Sequence, residues 1–111
     1  MSHHITFSVG VRKVGSVSFS SFTLRAQEKA YGIDFVDCLT YGPEEYIDME
    51  LWYRPDWDRA VARVSMLKAK VDVCEDEHRR KYDGARVEAM ARLIAYCAEP
   101  SRRPYAHVRF S

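Results

Sequence analysis

The chain has 111 residues, 47% of them hydrophobic and 30% charged, with a formal net charge of +1. That length makes one domain, residues 1–111, able to bury a core without metal or disulfide staples. The composition excludes a disordered chain, and the near-zero charge gives no global field that argues for nucleic acid or membrane.

Three cysteines, Cys38, Cys74 and Cys97, form an odd and widely spaced set. They point to reduced thiols rather than a disulfide framework. The opening "MSHHITFSVG" lacks a basic region followed by a long apolar run and reads as no signal peptide. No stretch approaches the roughly 20 apolar residues of a membrane helix. A soluble cytoplasmic protein is expected.

Strand period dominates the first half. Ile5, Phe7, Val9 and Val11 alternate with polar residues, as in a half-buried strand. "RKVGS" supplies a turn, and "SVSFSSFTL" returns as a second strand. Its apolar set shifts phase between Val17/Phe19 and Phe22/Leu24, which predicts a bulge at Ser20–Ser21. "AQEKAYG" reads as a turn or a single helical turn closed by Gly32. "IDFVDCLTY" alternates Ile33, Phe35, Leu39 and Tyr41, and is expected to be a third strand. Residues 43–54 open like a helix, with proline first and acids following. Against that, Ile47, Met49, Leu51 and Tyr53 alternate strictly, and the strand is preferred. Tyr46, Asp48, Glu50 and Trp52 then share the opposite face.

After Pro55, Asp56 or Asp58 can cap a helix. Trp57, Ala60, Val64, Leu67, Val71, Cys74 and His78 recur at steps of three and four, the stripe of a helix that faces a partner. Asp83-Gly84 punctuates the run. A second seam, out of phase, follows at Val87, Met90, Ile94 and Cys97. "YAHVRF" closes the chain as a strand, with Ala106, Val108 and Phe110 on one face. The expected fold is α+β: an antiparallel sheet of four to five strands with a helical hairpin, about 57–82 and 85–98, packed on one face.

Charge is segregated along the chain. Residues 1–25 carry three bases and no acid, residues 26–58 a net of −7, and residues 59–111 a net of +5. The acidic pole is "YGPEEYIDMELWYRPDWD", with five aromatic residues and six carboxylates in eighteen positions.

The expected function is a non-enzymatic protein-interaction module. Its surface is formed by Glu44, Glu45, Tyr46, Asp48, Glu50, Trp52, Asp56 and Asp58. Tyrosine and tryptophan supply anchors, and the acidic rim steers a basic protein partner. The competing structural account pairs Asp48 or Glu50 with Arg109 across neighbouring strands, worth roughly 0.2–1 kcal/mol.

In size, charge segregation and lack of catalytic groups the chain is similar to small phage-encoded inhibitors such as anti-CRISPR proteins. That resemblance implies a viral protein in a host cytoplasm that occludes the basic groove of a nucleic-acid-binding complex. Asp48, Glu50, Asp56 and Asp58 would stand in for phosphates. The alternative function is direct nucleic-acid binding through Arg12, Lys13, Arg102, Arg103, Tyr105 and Arg109, cations mixed with an aromatic ring. The long helical stripe is also suited to pairing with a second copy of the chain.

Other chemistry is weakly signalled. Cys74 and His78 sit four apart, but two further zinc ligands are not indicated, and both fall on the apolar stripe. No catalytic residue, metal site or cofactor is expected. The run "EDEHRRK" reads as a solvated face of i,i+4 pairs.

Overall fold

The computed structural model describes residues 2–40 and 52–111. Strand β1, Ser2–Val9, turns at Gly10, whose φ of 60° lies in the region glycine adopts without strain, and returns as β2, Arg12–Ser20. Helix α1, Ser21–Tyr31, follows directly. The short strand β3, Trp52–Tyr53, precedes helices α2, Trp57–Asp72, and α3, Glu77–Ala98. A 3-10 turn at Arg103–Tyr105 leads into the closing strand β4, Ala106–Phe110. The four strands are antiparallel in the order β2-β1-β4-β3. The domain is α+β, as the sequence pattern predicts.

One face of the sheet carries Ile5, Phe7, Val17, Phe19, Val108 and Phe110, none more than 4% exposed. These pack in one core with Val87, Met90, Ile94 and Cys97 of α3 and Ala60, Val64, Leu67 and Val71 of α2. The α3 stripe packs on the sheet, and the α2 stripe packs against α3 within the same core. The stripe of α2 is buried within the chain from Trp57 to Val71. Gly15 lets α3 approach β2, because a Cβ there would lie 2.8 Å from the Leu93 Cδ2 atom.

Several boundaries differ from the sequence reading. The phase shift after Phe19 is the passage from strand to helix, not a bulge. The Ser20 hydroxyl accepts from the Thr23 amide at 3.2 Å and caps α1. The irregularity in β2 falls earlier, where Phe7 pairs with Gly15 but Ser8 with Lys13, leaving Val14 as the extra residue. Gly32 does close the helix, at φ 71° with its amide on the Glu28 carbonyl, but the helix runs for three turns rather than one.

The expected third strand at 33–41 is a buried turn over its described residues, 33–40. Asp34 and Asp37 each accept the other's amide, at 2.9 and 3.1 Å, and lock the backbone out of an extended path. Ile33, Phe35, Val36, Cys38 and Leu39 are all buried, so the apparent alternation was packing on every side. Of the expected strand at 43–54, Trp52–Tyr53 is strand; the rest lies outside the described residues.

The helical hairpin turns at 73–76, not at Asp83-Gly84. The Asp76 carboxylate accepts from the Arg79 amide at 3.1 Å and starts α3 there. Gly84 is inside α3, and Asp83 is buried with its carboxylate on the Tyr31 hydroxyl at 2.7 Å. A polar pair linking α1 to α3 had looked like a turn signal.

Candidate functional site

Residues opposite one another across antiparallel strands project from the same side of a sheet. Opposite the core, this pairing sets Trp52, Arg109, Thr6 and Ser16 in one row across all four strands. A second row is His107, Ser8 and Lys13. A third holds His4 and Ser18, whose side chains share a hydrogen bond of 2.7 Å. Ser111 exchanges two backbone hydrogen bonds with His4 and extends that row. The outer face is thus hydroxyl, imidazole, cation and indole, with no acidic side chain among its described residues.

The indole is the most prominent of these groups. Trp52 is 59% exposed, its ring edge-on to His107 at 4.7 Å and the Arg109 guanidinium 5.3 Å from its centroid. Trp52, Tyr53, Arg54 and His107 line an open hollow of ≈ 390 Å³. Arg54 is held at its rim by donating to the Pro104 carbonyl at 2.9 Å. At the end of the face the Gly10 amide donates to the Tyr105 carbonyl at 2.8 Å. That bond places the backbone of Tyr105, an exposed residue, beside the hairpin tip that carries Arg12 and Lys13.

The cationic set expected from the sequence therefore divides. Lys13 and Arg109 come to the outer face and Tyr105 to its end, whereas Arg12, opposite Val9 and in line with the core residue Ala106, is at the hairpin tip on the other side of the sheet. Arg102 and Arg103 join neither. Arg102 donates to the Tyr96 carbonyl at 2.7 Å and stacks on the Tyr96 ring at 3.8 Å. Arg103 donates to the Ala98 carbonyl at 3.0 Å and to Asp58 at 3.0 Å. Both cover carbonyls at the C-terminal end of α3, where a helix leaves acceptors free and the dipole favours cations. Sequence reasoning missed Arg54 as a member of the site; strand alternation in "YAHVRF" already puts His107 on the correct face with Arg109.

Of the acidic-aromatic set, Trp52, Asp56 and Asp58 are described. Asp56 caps α2 by accepting from the Arg59 amide at 3.1 Å. Asp58 pairs with Arg103 while remaining 81% exposed. Glu44, Glu45, Tyr46, Asp48 and Glu50 lie outside the described residues. The surroundings of Trp52 that are described are cationic rather than acidic.

Cys74 lies in the turn between α2 and α3, and His78 in the first turn of α3, so they do not share a helix face. Cys38 and Cys97 are buried. Burial, helped by the charges of Asp34 and Asp37, pushes the Cys38 thiol up to about 12. Burial raises Cys97 to about 11. Both are poor nucleophiles at neutral pH. Glu28, Asp34 and Asp37 have carboxylate oxygens all within 4.8 Å of one another, but two of them already shape the 33–40 turn. Among the described residues, no helix is long and apolar enough to cross a membrane.

No family model, curated protein or solved structure matches this chain.

Proposed function

We propose that this chain acts by binding rather than by catalysis, and that its ligand is a single-stranded nucleic acid held on the outer face of the sheet. The observation that carries the reading is Trp52, a largely exposed indole set among His107, Arg109 and Arg54. A base stacks on an indole whatever its sequence, for about 1–3 kcal/mol per base. Lys13 contacts phosphate at one end, and the serine and threonine hydroxyls offer hydrogen bonds to sugar and phosphate oxygens between.

A second reading keeps a protein partner. Trp52, Asp56 and Asp58 are all exposed, and their carboxylates border the same indole in sequence. In that reading an acidic-aromatic surface docks in a basic protein groove.

The two separate by the sign of the preferred polyion. Labelled twelve-residue oligodeoxythymidine and oligouridine, titrated at about 50 mM salt, should bind and quench tryptophan fluorescence. Trp52→Ala should weaken binding by roughly 5- to 150-fold, the range that 1–3 kcal/mol of stacking implies. Lys13→Glu should flatten the salt dependence by about 0.7 in log–log slope, at about 0.7 per phosphate. Absence of oligonucleotide binding, or binding indifferent to Trp52, removes the proposal. Polylysine binding lost on Glu44→Lys with Glu45→Lys would select the protein-docking reading.

A further inference from the structure

Phe22 stands 79% exposed at the start of α1. It forms one wall of a trough between α1 and α3, with Thr23 and Ala26 along its floor and His78, Arg79 and Tyr82 opposite. This trough has a volume of ≈ 380 Å³ and runs into a second hollow, of ≈ 350 Å³, through Phe22, Ala26 and Arg79. Arg25 and Lys29 border the second hollow, one and two turns along α1 from Phe22.

The positions of the charges are set by the fold. Arg79 lies across the trough and donates to the Ala26 carbonyl at 3.4 Å. Arg86 stacks on Tyr82 at 3.9 Å and donates to the Ser18 carbonyl at 3.2 Å, which holds that ring in place. Two carboxylates line the trough, Asp76 and Asp83. The first caps α3 and the second accepts from the Tyr31 hydroxyl, so both are engaged by the protein. Glu28, with Asp34 and Asp37, borders Arg25 and Lys29 on another flank of α1. The trough therefore combines two exposed aromatic rings with a cationic border.

We propose that this trough is a docking site for an acidic peptide segment of a partner protein that carries an aromatic anchor. The anchor packs between Phe22 and Tyr82, a cleft the size of one or two side chains, while carboxylates on either side meet Arg79, Arg25 and Lys29. Aromatic anchors in desolvated pockets dominate binding energy, and the cationic border supplies orientation and on-rate. The helices lie on the core side of the sheet, so this site is separate from the outer face and does not depend on a nucleic acid binding there.

The probe is a random glutamate–tyrosine copolymer, which samples many acidic-aromatic sequences, with polyglutamate and oligodeoxythymidine as comparison ligands. By fluorescence anisotropy at low salt, the copolymer should bind at least 10-fold more tightly than polyglutamate. Phe22→Ala should bring it down to the polyglutamate level, and Arg25→Glu with Lys29→Glu should abolish both. Trp52→Ala should leave it unchanged. All these residues are exposed, and circular dichroism checks each fold. Copolymer binding within twofold of the parent protein in both trough variants overturns the proposal. So does failure of the copolymer to bind, or loss of oligonucleotide rather than copolymer affinity in the trough variants.

Discussion

Replacing Tyr31 by Phe removes one oxygen and tests the buried joint between α1 and α3. The Tyr31 hydroxyl donates to the Asp83 carboxylate at 2.7 Å, and the two residues are 5% and 4% exposed. Burial, then the hydrogen bond to Asp83, pushes the Tyr31 hydroxyl well above the usual phenol range, so it remains a donor throughout the stable pH range. A hydrogen bond to a charged, buried acceptor contributes about 1.5–3 kcal/mol, because its loss leaves a carboxylate without that donor and without water. Tyr31→Phe should therefore lower the melting temperature by roughly 10 °C in a domain of this size. Asp83→Asn keeps the shape and an acceptor but removes the charge. Made in the Tyr31→Phe background it should cost less than it does alone, because there it also discharges a stranded carboxylate. Thermal unfolding of the two single variants and the double variant closes the cycle. A Tyr31→Phe loss below about 0.5 kcal/mol, or strict additivity, would show that the pair does not hold the helices together as argued.

Two further expectations concern packing and the thiols. Gly15→Val drives a side chain into Leu93 and should destabilise by about 1–3 kcal/mol, measured by urea unfolding; Leu93→Ala should recover part of that loss if this contact is the cause. Under native conditions at pH 8 a maleimide should label Cys74 and leave the buried Cys38 and Cys97 unreacted until the protein is denatured. Those two thiols are raised from 9.0 to about 12 and about 11, so above pH 9 the unfolded chain loses their protons first. Their contribution is fully present below pH 9 and fades as pH rises toward 11–12, by about 1.4 kcal/mol per pH unit for each thiol. Urea unfolding at pH 8, 9 and 10 should show a steeper loss in the parent than in Cys38→Ala with Cys97→Ala, and parallel curves would refute the assignment.

The parts of the fold legible in the sequence are those where one residue face meets one kind of surroundings. β1, β4 and the seams of α2 and α3 have a single buried side, so their periods of two and of three to four survive in the residue order. The 33–40 turn is buried all round, and an apolar run there mimics a strand. α1 was hidden for the opposite reason, since Phe22 faces outward and the buried positions Thr23, Leu24, Gln27 and Tyr31 include two polar residues. Gln27 is inside because its side-chain oxygen accepts the Phe35 amide at 3.2 Å, a long-range use that local pattern does not encode. The site follows the same rule. Strand alternation puts His107 and Arg109 together, whereas the commitment of Arg102 and Arg103 to helix carbonyls depends on where α3 ends. The trough beside Phe22 was invisible once the first turn of α1 was read as the end of a strand.

The near-neutral total conceals local differences in how individual charges are placed. Among the described residues, Asp56 and Asp76 point at helix N-termini, where the amides and the dipole oppose their charge. Asp83 is buried against Tyr31, Asp34 and Asp37 hold a turn, and Glu99 lies against Ser101 and Arg102, which keeps its carboxyl below the usual range. Arg12, Lys13, Arg25 and Lys29, by contrast, are on exposed strand and helix positions. With 17 bases and 16 acids, cations are concentrated at the hairpin tip, while on α1 Arg25 and Lys29 share the helix with the exposed Glu28. Net charge gave no reason to expect an anionic ligand. The proposed nucleic-acid ligand rests instead on local groups such as Lys13 and Arg109, and the salt dependence of binding measures their contribution directly.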